Sequence, residues 1–248
     1  MRRFFIPEAD FSKSPVALTD SDEIHHIKNV LRFKKGQEVC VFNQKGQEAV
    51  CLIEQILADR IEMAIKEVKT SMAQNGPRVI LACALPKKSK FEWIIEKCVE
   101  LGVAEIYPLQ TKRTEVILRE EKMSAKLKRF EAVALNASKQ SGRNHVPVIH
   151  PAISFQDVLK KGSAGALKLI PCLIKNRRNL FEVSSSTPGV EEVYILIGPE
   201  GDFTDEEVKE SISAGYIPVS LGETTLKVET AAISTVSFVK LFFVRRPD

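Results

Sequence analysis

The sequence predicts an α/β protein in which a small N-terminal β-barrel precedes a larger, mostly parallel sheet covered on both faces. Three observations carry this. Short runs with period-two alternation fill the first seventy or so residues, continuous apolar runs such as "RVILACAL" and "VYILIG" come later, and amphipathic helical stretches alternate with those runs. A run that is apolar at every position marks a strand buried on both faces, and strands alternating with helices imply parallel crossovers. The polar, aperiodic "TSMAQNGP" separates the two patterns, which places the barrel at 1–70, a linker at 71–77 and the α/β domain at 78–248.

Taken in order, "DSDEIHHIKNVLR" predicts a short amphipathic helix with Ile24, Ile27, Val30 and Leu31 on one side. "EVCVFN" and "QEAVCLIEQI" flank "QKG" at 44–46, a hairpin with Gly46 free to take a positive φ. "RIEMAIKEV" alternates at Ile61, Met63 and Ile65. Beyond the linker, "SKFEWIIEKCVELG" opens with Ser89 and Glu92 at capping-box spacing, carries Phe91, Ile94, Ile95 and Cys98 on one stripe, and stops at Gly102. "AEIYPLQ" is the next strand. Residues 121–141 form a long helix with Met123, Leu127, Phe130, Ala134 and Ala137 inward. "ALKLIP" and "VYILIG" are buried strands, and "TDEEVKESISAG" repeats the capped-helix pattern with Thr204, Glu207 and a stop at Gly215. "YIPVSLG" is a last strand and "VETAAISTVSFVKLFF" a closing apolar helix.

Composition narrows the function classes. No apolar run approaches the roughly 20 residues that cross a bilayer, so no membrane partner is expected. "MRRFFIPEAD" lacks the apolar core of a secretory signal. Cys40, Cys51, Cys83, Cys98 and Cys172 lie far apart without a CxxC pair, which fits reduced thiols in a cytoplasmic protein and no metal site. The net charge of +4 decides little, but residues 112–143 carry nine Lys or Arg against four Glu, as expected of a face that meets phosphate or of a solvated helix face.

Two strand ends stand out. "ILIGPEGDFTDEE" stops an apolar run at Gly-Pro-Glu-Gly and starts a capped helix, and "SLGETTLKVETAA" breaks a strand at Gly222 some twenty residues later. In an open α/β sheet, ligands sit beyond the carboxyl ends of the strands. Main chain freed there can bind an adenine edge and a ribose. The phosphate loop GxxxxGK[ST] and the dinucleotide fingerprint GxGxxG are both missing, which disfavours a nucleotide triphosphatase or a dehydrogenase.

The blocks "MRRFFI", "HHIKNVLRFKKGQ", "EKCVELGV", "ASKQSGRN", "LIGPEGDFTDEE" and "LGETTLKVETAA" resemble, in order along the whole chain, the ribosomal RNA small-subunit methyltransferase E family. The resemblance implies a PUA-like barrel for RNA and a C-terminal SPOUT domain with a deep trefoil knot. It further implies S-adenosylmethionine as cofactor, N3 of a uridine in 16S rRNA or the 30S subunit as target, and a homodimer. The cofactor would rest on Pro171, Cys172 and Leu173, on Leu196 and the turn Gly198, Pro199, Glu200 and Gly201, and on Leu221, Gly222 and Leu226. Arg113, Gln140, Arg143 and Glu229 would serve catalysis, with Arg113 first for the uracil oxygens or a phosphate. Arg2, Arg3, Arg32, Lys34, Lys35 and Asn144 would meet RNA. His145 reads as an ordinary surface residue and His26 as packing.

This chain departs from the family pattern at four places. Asp202 stands at a usual glycine, where it can pair with the sulfonium or amine, cap the helix from Phe203, or repel the cofactor's carboxylate. Thr225 and Lys227 replace arginines, and Lys139 replaces an acidic residue. Two alternatives stay open on the sequence: a non-catalytic RNA-binding protein on this fold, and a methyltransferase with another target such as ribose 2′-O.

Overall fold

The computed structural model of the chain describes residues 1–69, 76–87, 90–116 and 120–244. Most of the expected linker, and the Ser89 cap, lie outside them. The chain divides into two compact units: Met1–Ala73 with Ser138–Val146, and Gln74–Ala137 with Pro147–Asp248.

The first unit is a curled sheet of five strands: β1 (Arg3–Phe5), β2 (Val16–Leu18), β3 (Glu38–Phe42), β4 (Glu48–Ile56) and β5 (Ile61–Lys69), in the order β1-β3-β4-β5-β2. Alternation works as the sequence predicts, since Ala49, Cys51 and Ile53 of β4 and Ile61 and Met63 of β5 all point into one core. Register shifts at Val50/Cys51 and Ile53/Gln55 bend the β4–β5 pair around that core. Helix α1 (Ser21–His25) continues into a π-helical turn, His26–Val30, in which the Leu31 N–H reaches back to the His26 carbonyl. This corrects one expectation. The wider turn carries Leu31 to the core beneath Ile24 and Ile27, and leaves Val30 outside at 61% exposure.

In the second unit the parallel sheet comprises β6 (Arg78–Ala84), β7 (Glu105–Gln110), β8 (Val148–Ile149), β10 (Leu167–Pro171), β11 (Arg178–Asn179), β12 (Glu192–Ile197) and β13 (Ile217–Ser220), with β9 (Ile153–Ser154) paired to β7. Helices α2 (Lys90–Glu100), α3 (Glu120–Ser141), α4 (Phe155–Leu159), α5 (Leu180–Ser185), α6 (Asp205–Ser213) and α7 (Val228–Phe242) accompany it. The apolar runs are buried on both faces. Leu81 and Cys83 pack with Ile94, Ile95, Ala232 and Val236, whereas Ile80 and Ala82 pack with Phe155, Phe203 and Val208. Helix α2 ends as its glycine requires: Gly102 has φ +95°, its N–H bonds to Val99, and the Val103 N–H bonds to Cys98. The capping box at Thr204 and Glu207 forms in full.

Strand order determines where the site sits. Pro171 of β10 and Arg178 of β11 both pair with Val219 of β13, one on each side. Residues 172–177 therefore arch over the end of β13. The chain emerging from beneath the arch returns as α7, which packs against α2, β6 and β12. An arch with later chain drawn beneath it is the threading that a knotted domain requires.

Candidate functional site

Three strands of the second unit, β10, β12 and β13, end side by side, and each releases a loop around one cavity of about 250 Å³. Pro171, Cys172 and Leu173 of the arch form one wall, Gly198, Pro199 and Glu200 another, and Leu221, Gly222 and Leu226 a third. Two residues expected here stand elsewhere. Leu196 is buried in the core on the opposite face of the sheet, because β12 alternates and Ile197 takes the cavity side. Gly201 is exposed, and its carbonyl accepts a hydrogen bond from Arg113 Nη1 at 2.7 Å. Sequence reasoning missed Arg177, Ile197, Val219, Thr224, Val228 and Ala231 on the cavity wall. Strand parity was a usable signal for Ile197; for Arg177, inside an unpatterned loop, there was none. Asp202, Thr225 and Lys227, three of the four departures, also line the cavity.

The turn after β12 is tethered from several directions. A Cβ on Gly198 would lie 3.0 Å from the Phe203 ring and 3.3 Å from the Phe203 N, a tighter contact than most side chains make, so glycine lets the turn close without displacing Phe203. The Lys87 N–H donates to Glu200 Oε1 at 3.0 Å, and Arg113 Nη1 also reaches the Phe203 carbonyl at 3.3 Å. Glu207, fully buried, accepts from the Lys112 N–H at 2.8 Å and from the Thr204 N–H at 2.8 Å. Asp202 adopts φ +57° and accepts the Leu173 N–H through Oδ2 at 2.7 Å. It does not cap the following helix, because Thr204 does.

The electrostatics suit a cationic, easily attacked ligand. Burial, with the nearby Asp202 charge adding, pushes the Cys172 thiol up to about 11, so it faces the cavity protonated. A protonated thiol is a poor nucleophile and does not take an alkyl group from a sulfonium. Arg177 Nη1 holds the Cys172 carbonyl at 3.0 Å. Glu229 lies in the first turn of α7, outside the cavity wall, and bonds Lys90 Nζ at 2.5 Å. Burial raises its carboxyl, but the Lys90 hydrogen bond, its own main-chain N–H and the charges of Lys90 and Lys227 outweigh that and hold it below the usual range. It ties the starts of α7 and α2 together.

The remaining sequence candidates belong to the first unit. Arg3 is not an exposed phosphate contact. Its side chain is 14% exposed, and the guanidinium lies over the Phe42 ring and bonds the Glu48 carboxylate, the Asn144 side-chain oxygen and the Arg143 carbonyl. Asn144 is thereby engaged within the protein. Arg143 is half-buried, and burial lowers its guanidinium to about 10. Gln140 is exposed in the last turn of α3, as are Arg2, Arg32, Lys34 and Lys35 in their loops. Lys139 forms an ion pair with Glu23, which explains why a cation is tolerated there. The His145 ring occupies the space a Cβ on Gly46 would need. His26, expected to pack, is exposed instead, its side chain turned outward by the π turn.

Comparison with known proteins agrees with this geometry. A profile described as RNA methyltransferase domain matches residues 74–240, and one described as RNA methyltransferase PUA domain matches residues 18–65. The chain is 30% identical over 247 residues to Ribosomal RNA small subunit methyltransferase E of Bacillus subtilis, covering 96% of each chain. It is 33% identical over 236 residues to the protein of that name from Mesomycoplasma hyopneumoniae, covering 94% of this chain and 96% of the relative. The crystal structure of the Neisseria gonorrhoeae protein of that name, bound to S-adenosyl methionine, superposes with a TM-score of 0.87 at 28% identity and 98% coverage of both chains. On its sequence and its fold, this chain belongs to the ribosomal RNA small subunit methyltransferase E family.

Proposed function

We propose that the chain is an S-adenosylmethionine-dependent methyltransferase that modifies N3 of a uridine in 16S rRNA, acting as a homodimer in the cytoplasm. The observation that carries this reading is the convergence of three glycine- or proline-broken strand ends on one cavity. Its walls suit an adenosyl sulfonium: main chain freed at Gly198–Glu200 and Leu221–Gly222, apolar Leu226 and Ile197, and the neutral Cys172 thiol. The bound cofactor supplies a methyl group on a positively charged sulfur. The chain's own residues must do the rest.

Uridine N3 is protonated and lies on the pairing edge, so the base has to be presented unstacked and unpaired. As that proton leaves, negative charge builds on O2 and O4, and a positioned cation lowers its cost. Arg113, beside the turn, is the cation we assign to this task, and Arg143 is assigned to an RNA phosphate. Arg2, Arg32, Lys34 and Lys35 supply exposed positive charge for phosphates. Support for the dimer comes from an aromatic cluster on α5 and α7 in which Phe181 is exposed and Phe238 and Phe242 are half-buried. Phe181, 59% exposed, meets the Phe242 ring edge-on at 5.5 Å, and Phe238 stacks on Phe242 at 5.3 Å. No described helix is long and apolar enough to cross a membrane.

The test is the nucleoside profile of 16S rRNA from a strain deleted for the gene, with and without a plasmid copy. N3-methyluridine should disappear on deletion and return with the plasmid. An unchanged profile contradicts the proposal, and loss of a ribose-methylated nucleoside instead reassigns the target atom.

A further inference from the structure

Asp202 occupies a backbone position that its side chain does not suit. Its φ of +57° lies in the left-handed region, where a Cβ crowds the main chain and glycine is favoured. Aspartate tolerates that region better than most residues, yet it still needs a reason to be there. The geometry offers one. The Asp202 N–H closes the turn on the Pro199 carbonyl at 2.9 Å, which fixes the direction in which the carboxylate leaves the chain. That direction takes Oδ2 across to the Leu173 N–H at 2.7 Å. The two loops joined in this way form two different walls of the cavity.

The two walls are not equally well held. The 198–207 segment has ties to Lys87, Lys112 and Arg113. The arch has weaker ones. Cys172 is buried in the core and Arg177 holds its carbonyl from within the arch, but the Leu173 side chain is 53% exposed and the Cys172 N–H reaches the Val219 carbonyl at a long 3.4 Å. A charge-assisted bond from the firm wall to the loose one therefore sets their separation.

We infer that Asp202 is a positioning residue, a strut whose carboxylate fixes the 172–177 arch against the 198–203 turn and so presets the width of the cofactor cavity. This rests on the proposed cofactor reading and adds to it a side chain that organises the site before the ligand arrives. A preset cavity spares the ligand the cost of ordering the arch.

Two variants of the full-length chain test it. Asp202→Gly suits the backbone and removes the strut, whereas Asp202→Asn keeps an acceptor oxygen and removes the charge. Hydrogen exchange at the Leu173 amide of the cofactor-free protein should stay slow in wild type and Asp202→Asn and become fast in Asp202→Gly. By calorimetry and steady-state kinetics, Asp202→Gly should raise Kd and KM for S-adenosylmethionine about tenfold, the loss of one charge-assisted bond, with kcat nearly unchanged. Asp202→Asn should stay within about threefold of wild type, as expected of a neutral bond replacing a charged one. The inference is overturned if Asp202→Gly leaves Leu173 exchange or cofactor affinity unchanged, or if Asp202→Asn weakens binding as much as Asp202→Gly. Wild-type protein that binds no S-adenosylmethionine would sink the functional proposal instead, and Leu173 exchange would still decide whether the strut exists.

Discussion

At the amino ends of β6, β7 and β12, side chains close the sheet; at the carboxyl ends of β10, β12 and β13, the main chain is left bare. The first end is occupied by Arg78, which pairs with Glu105 and with Glu192, the latter at 3.0 Å. Glu105 also accepts from the Tyr107 hydroxyl at 3.0 Å and meets His150 Nε2 at 2.6 Å, while the Tyr107 and His150 rings stack at 3.9 Å. Ser163 caps the arrangement through Glu192 at 2.6 Å. Polar groups there are satisfied by one another, and no ligand is needed. At the other end Gly198, Pro199 and Gly222 bring no long side chains, and together with Arg177, Glu200, Asp202 and Lys227 they line an open cavity. One sheet thus ends in a self-satisfied network on one side and in an open site on the other, and β12 takes part in both. The difference lies in what the side chains reach: at the amino ends they pair with one another, whereas at the carboxyl ends Glu200, Asp202 and Arg177 hold main-chain groups of the loops around the cavity.

This contrast can be broken at either end. The largest effect is expected for Glu105→Ala, which removes the acceptor shared by Arg78, Tyr107 and His150. Stability should fall by about 3 kcal/mol in denaturant unfolding, with cofactor affinity unchanged. A loss of affinity would mean that the two ends are coupled. Gly198→Val comes next. Its Cβ would press on the Phe203 ring at 3.0 Å and on the Phe203 N at 3.3 Å, and the branched side chain adds bulk to a turn that lines the cavity. Crowding of this turn should lower S-adenosylmethionine affinity about thirtyfold by calorimetry, or ~2 kcal/mol. Unchanged affinity would remove the turn from the site. Arg113→Ala has the smaller effect of the two site variants on cofactor binding. Turnover should be lost, and freeing the Gly201 and Phe203 carbonyls should weaken the cofactor by about 1 kcal/mol, or fivefold. If affinity holds while turnover falls, Arg113 acts on the substrate alone.

Much of this was legible in the sequence, for identifiable reasons. Period-two alternation located β4 and β5, continuous apolar runs located β6, β10 and β12, and capping residues fixed α6, because each signal is local. Two of the three loops of the cavity, at Gly198–Gly201 and at Gly222, were legible because glycine marks strand ends, whereas Pro171–Leu173 came only from the family resemblance. What failed depended on orientation or on distant partners. Leu196 and Ile197 are equally apolar, and only the strand's parity decides which of them faces the cavity. Arg3 looked like a free cation until its partners Glu48 and Asn144, far away in sequence, were brought to it. Lys139 looked anomalous until Glu23 was found opposite. Val30 was misplaced because a π turn carries no composition signature. The threading beneath the 172–177 arch is a property of chain order in space, which no periodicity encodes.

The central claim is that one end of this sheet binds the methyl donor and the other does not. Titration of isotopically labelled protein with S-adenosylmethionine, followed by amide chemical shifts, tests both halves at once. The account predicts the largest shifts at Leu173, Gly198 and Gly222, and still signals at Arg78, Glu105 and His150. Shifts centred on the Arg78–Glu105 network, or no shifts at millimolar cofactor, would contradict it.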